Sequence, residues 1–178
     1  ISNVICSDVI EDLKENNYIN IYQHILFSID PSRQYDVYIR DNINDVPKES
    51  FNFSNNAFHV LKESMNCVRE IFGFTVDEFD FSCFKDFMLD MELYHDLTFE
   101  ERQHLEKYIE AVTEFNSVTG KIYCDICEEN FGILNGKYIV RDFEGFYGAF
   151  ENQHANLQDI PVVTLDDLNN NTTKSLKI

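Results

Sequence analysis

The sequence predicts a helix-rich α+β fold, on three grounds. Hydrophobic residues make up 44% of the 178 positions and 16 residues are Phe, enough to bury a core despite the many charges. Only six Gly and three Pro punctuate the chain, which favours long helices over the frequent tight turns of a strand-rich sandwich. Apolar residues recur at helical spacing through the middle of the chain, with strand-like alternation on either side of it.

Ser7–Lys14 reads as a first helix, with Ser7 as N-cap and Val9, Ile10 and Leu13 on one side. Tyr18–Ile29 is rich in aromatic and β-branched residues and fits helix or strand by period alone. Pro31 breaks the chain, and Gln34–Arg40 then alternates apolar and polar as a strand does. Asp41–Asn55 is polar, contains Pro47 and reads as a loop. Asn56–Phe72 is a strong helix, with Phe58, Leu61, Met65, Val68 and Phe72 on one face and Gly73 as its stop.

Asp77–Tyr94, with Phe79, Phe81, Phe84, Phe87, Met88 and Met91, reads as a buried helix. Thr98–Phe115 opens with a capping box, because Glu101 follows Thr98 by three positions; Leu105, Tyr108, Ile109 and Val112 line its apolar face. After Gly120 the period shortens. Lys121–Cys124 and Phe131–Leu134 read as strands, Asn135-Gly136 as a two-residue hairpin turn, and Lys137–Arg141 as the returning strand. The polar tail from Asp166 to Lys177 is expected to fray. The chain thus divides into a mixed segment over 1–55, a helical lobe with its hairpin over 56–165, and a polar tail over 166–178.

A formal charge of −18 opposes binding to nucleic acid and to anionic membrane, and it attracts cations and basic proteins. Basic patches interleaved with aromatics are missing, which argues the same way against nucleic acid. No apolar run reaches the ~18 residues of a membrane span. The opening ISNVICSDVIEDLKENN lacks the basic and apolar regions of a secretory signal, and it begins without Met, which leaves room for residues upstream. Cys6, Cys67, Cys83, Cys124 and Cys127 are odd in number and irregular in spacing. They read as free thiols, and the expected compartment is the cytoplasm.

Chemistry gathers in GKIYCDICEENFGILNGKYIVRDFEGF, Gly120–Phe146. Asn130 follows Asp125 by five residues, Asp142 follows Asn130 by twelve, and a hairpin turning at Asn135-Gly136 would return Asp142 beside Asn130. Carboxylate and amide oxygens grouped this way suit Mg²⁺, which takes oxygen ligands and is commonly shared with phosphates. Asp125 is then free to orient or deprotonate an attacking hydroxyl. Cys124-x-x-Cys127 lacks a second ligand pair for zinc and reads as packing around the loop. His24, His59, His95, His104 and His154 show no paired spacing.

This pattern resembles the catalytic and metal loops of the protein-kinase-like superfamily: H-x-D-x-x-x-x-N, a short hairpin, then D-F-G. The resemblance makes Asp125 the catalytic-loop acid, Asn130 and Asp142 the metal ligands, and Thr98–Phe115 the long central helix of the C-terminal lobe. Asp142-Phe143-Glu144 is closer to the D-F-E of the aminoglycoside and choline kinase-like branch, and compact phage kinases are another neighbour. Departures accompany it. Tyr123 stands where His is usual, which is expected to weaken the packing of the loop, and neither a Gly-rich phosphate loop nor a V-A-I-K-like strand is visible. Arg40 is the nearest candidate for the phosphate-pairing cation, ahead of Lys48 and Lys62. The expectation is a kinase-like C-terminal lobe with a reduced or missing N-terminal lobe. It would be either a minimal ATP- and Mg²⁺-dependent phosphotransferase acting on a hydroxyl or a pseudokinase. The rival reading is a non-catalytic acidic protein, a phage-type inhibitor or nucleic-acid mimic, docking on a basic protein partner.

Overall fold

Helix exceeds strand in the computed structural model, which describes residues 2–47, 51–72, 88–143 and 159–175. In chain order the elements are α1 (Ser2–Glu15), β1 (Ile21–Asp30), β2 (Arg33–Arg40), α2 (Phe51–Phe72), α3 (Glu92–His95), α4 (Phe99–Thr119), a 3₁₀ turn (Glu128–Asn130), β3 (Phe131–Leu134), β4 (Lys137–Val140), β5 (Val162–Thr164) and α5 (Leu165–Ser175). They belong to two units, Ile1–Asp41 with Glu151–Ile178, and Asn42–Phe150. Among the described residues no helix is long and apolar enough to cross a membrane.

In the first unit, α1 starts well before the expected Ser7. Ser7 is therefore internal to the helix, and its hydroxyl donates to the Asp36 carboxylate instead of capping. Asn17 ends α1 in the left-handed region (φ 54). The Tyr18 N–H returns to the Leu13 carbonyl at 2.9 Å and the Asn17 N–H to that of Lys14 at 3.2 Å, which satisfies carbonyls the helix leaves open. Val9, Ile10 and Leu13 are buried as their spacing predicts. The ambiguous Tyr18–Ile29 stretch contributes strand β1, antiparallel to β2 and parallel to β5 in a sheet of order β2-β1-β5. The tail expected to fray instead carries α5. Its start is closed by the Thr164 N–H on the Asp167 carboxylate at 2.8 Å and the Asp167 N–H on the Thr164 hydroxyl at 3.3 Å.

In the second unit, α2 begins at Phe51, inside the stretch expected as a loop. Phe58, Leu61 and Met65 are buried; the Val68 and Phe72 side chains lie outside the described set. Most of the helix expected over Asp77–Tyr94 also lies outside the described residues, and in its last part the chain is extended at Met91 (φ −81, ψ 130) before the short α3. Thr98 and Glu101 form the capping box the sequence predicts, and α4 runs four residues past Phe115 to end at Gly120 (φ 64), a conformation that suits glycine. Tyr108 joins α4 to its neighbours, with its ring 4.4 Å from Phe58 on α2 and 5.1 Å from Phe131 on β3. The β3–β4 hairpin turns at Asn135 (φ 52) and Gly136 (φ 80), the paired positive angles of a tight two-residue turn. Lys121–Cys124 forms no strand.

Candidate functional site

The loop between α4 and β3 is built by short-range bonds. Gly120 redirects the chain out of α4, and the Asn116 side-chain oxygen, buried on the last turn of that helix, accepts the Tyr123 N–H at 2.8 Å. The Ile126 and Cys127 N–H groups then bond the carbonyls of Cys124 and Asp125 at 2.9 and 3.1 Å, which curls Asp125 outward to solvent. Asn130 closes the curl. Its amide nitrogen donates to both the carbonyl and the carboxylate of Asp125, at 2.9 Å each, so the amide oxygen is the end left to serve another partner. The hairpin continues one step past its strands, with the Arg141 N–H on the Asn130 carbonyl at 2.8 Å, and Asp142 follows directly. Arg141 secures that end by donating to the Glu129 carbonyl at 2.7 Å and pairing with Asp45.

Tyr123 lies under this loop. Its side chain is wholly buried, edge-on to Phe115 at 5.2 Å, and Phe143 stacks on Phe115 at 6.1 Å. The expectation that a residue other than His loosens the loop is therefore corrected: ring packing and the Asn116 bond hold this position. The Tyr123 hydroxyl meets no acceptor or donor in hydrogen-bonding geometry among the described residues. Burial drives its pKa up, and the carboxylates of Asp142 and then Asp125, with the Cys127 thiol, push it further, while the nearby Asn130 side chain offsets this slightly. The hydroxyl is thus a neutral, buried donor near both acids. Burial and then Asp125 likewise raise Cys127, whose thiol stays protonated.

The oxygen donors of this loop pair are two carboxylates and one amide, beside a buried hydroxyl that has no hydrogen-bond partner among the described residues; oxygen is the donor type that a hard divalent cation takes. Among the described residues no group of three or more His, Cys, Asp or Glu is arranged to hold a metal ion. Three of the four residues predicted from sequence, Asp125, Asn130 and Asp142, share this loop and hairpin of the second unit. Arg40 belongs to the first unit, at the end of β2, with its guanidinium 5.6 Å from the centre of the Tyr38 ring. Lys62 is exposed on α2, and Lys48 lies outside the described residues.

A second polar cluster had no signal in the sequence. The His24 side chain on β1 is buried, with Nδ1 2.7 Å from a Glu11 oxygen of α1 and Nε2 2.7 Å from an Asp36 oxygen of β2. Burial presses the imidazole toward neutrality, but the bonds to Asp36 and Glu11 outweigh it and raise its pKa above the ordinary value. Ser7 bonds to Asp36 and not to the imidazole, so this is not a nucleophilic triad. No protein-family model, curated protein or solved structure matches the chain.

Proposed function

We propose that Gly120–Phe143 is the phosphotransfer loop pair of a minimal kinase-like protein that binds ATP through Mg²⁺. The observation that carries this reading is the Asn130 amide nitrogen held on the backbone carbonyl and one carboxylate oxygen of Asp125, while the hairpin returns Asp142 to the same turn. Asn130 and Asp142 would hold the cation, which would supply charge neutralisation at the phosphates. Asp125, exposed at the loop, takes the proton of an acceptor hydroxyl as that oxygen bonds to the terminal phosphorus. The bond from this phosphorus to the bridging oxygen breaks, and ADP leaves with the electron pair. The neutral Tyr123 hydroxyl bonds neither carboxylate in this structure, and on binding of Mg·ATP it would donate to one of them and hold its orientation.

Calorimetric titration with Mg·ATP tests the reading. Wild type is expected to bind, Asp142→Ala to lose binding, and Asp125→Asn to bind but fail to transfer phosphate. Binding without transfer in the wild type would give the pseudokinase form of the same proposal, and no heat in the wild type would overturn it. A second reading draws on the charge of −18 and on exposed acids such as Glu100, Asp166 and Asp167: an acidic protein that docks on a basic partner, as an inhibitor or nucleic-acid mimic. Its partners would be basic proteins lost from a pull-down as salt is raised.

A further inference from the structure

Strand β2 is the outer strand of the β2-β1-β5 sheet among the described residues, so it offers a row of backbone donors and acceptors for another strand. Its residues alternate. Asp36 faces α1 through Ser7 and His24, whereas Tyr35, Val37 and Ile39 stand 51, 46 and 57% exposed on the opposite face. Natural sheets commonly blunt such an edge with Lys, Pro or a bulge. Between Arg33 and Arg40 there is no Lys, Pro or Gly, and the register shifts of the β1–β2 ladder fall only at its two ends.

We propose that β2 pairs antiparallel with β2 of a second copy of this chain, about a two-fold axis at Val37. Such an axis, perpendicular to the sheet, keeps each residue on its own face, so a residue must lie opposite its own copy at the centre. Centring on Asp36 sets like carboxylates against each other. Centring on Tyr38 puts Tyr35 opposite Asp41 and runs Arg33 past the strand. Centring on Val37 pairs the whole strand: Val37 meets Val37, Tyr35 meets Ile39, and Arg33 meets Asp41, each of the last two pairs occurring twice. The second copy thus supplies apolar contact for the exposed stripe and an opposite charge for each strand end, and the two sheets become one of six strands.

Sedimentation velocity on the full chain over a range of concentrations tests this. Wild type is expected to show a concentration-dependent dimer. Val37→Lys, which sets two ammonium groups face to face on an exposed site, is expected to weaken it at least tenfold with unchanged circular dichroism. Val37→Cys under mild oxidation is expected to yield a disulfide joining two copies at position 37, identified by peptide mass, and it keeps the test decisive should the Lys variant fold poorly. A wild type that stays monomeric throughout overturns the proposal, and so does a dimer that Val37→Lys leaves intact or that fails to cross-link at position 37.

Discussion

Replacing Tyr123 with Phe removes one oxygen and leaves the ring that packs on Phe115. In most buried positions that deletion destabilises a protein, because the hydroxyl had a partner. Here the hydroxyl lacks one among the described residues, and leaving a buried polar group unsatisfied costs about 1–3 kcal/mol. The nearby Asn130 side chain reduces that penalty, so the lower end applies and Tyr123→Phe is expected to stabilise the protein by about 1 kcal/mol. For a chain of this size that corresponds to a rise in Tm of ~2–4 °C. The chain has no Trp, so urea and thermal unfolding are best followed by far-ultraviolet circular dichroism. Adding Mg·ATP should then raise the Tm of wild type more than that of the variant, since a ligand stabilises in proportion to its differential binding. A loss of stability near 1 kcal/mol in the absence of ligand would refute the reasoning, because it would mean the hydroxyl is already satisfied.

Two further perturbations probe the scaffold. His24→Ala leaves the Glu11 and Asp36 carboxylates facing each other without a cation, and breaking a buried ion pair in this way costs about 3 kcal/mol, measured as a drop in urea midpoint. Because the His24 pKa is raised in the folded state, its support is complete below the unfolded value near 6.5 and is lost as pH rises through the higher folded value. The midpoint difference between wild type and His24→Ala should therefore shrink towards alkaline pH; a difference that grows there would contradict a charged imidazole. Gly132→Ala would drive a Cβ into Ile43 Cγ2 and set it 2.8 Å from the Asn44 carbonyl oxygen, so a loss of about 1–3 kcal/mol is expected from chemical denaturation. A neutral result would show that the bridge between Asn44 and Ile133 does not hold that segment on β3.

Features that depend on a few neighbouring residues were legible in the sequence. The Thr98–Glu101 box, the Asn135-Gly136 turn and the alternation of β2 each follow from local geometry, and the spacing of Asp125, Asn130 and Asp142 implied a loop closed by a hairpin. Tertiary pairing decided the rest. Tyr18–Ile29 fits helix or strand by composition, and its strand is chosen by partners on β2 and on the distant β5. The cluster of Glu11, His24 and Asp36 draws one residue from each of three elements, so no spacing announces it. Arg40 was a candidate by position in the chain, whereas the fold places it in the unit that does not carry the loop. Tyr123 could be seen as an odd residue beside Asp125, but its burial on Phe115, and a hydroxyl that has no partner among the described residues, are set by side chains that converge only on folding. Dihedral preferences are written residue by residue, while burial and electrostatic environment are properties of the packed chain.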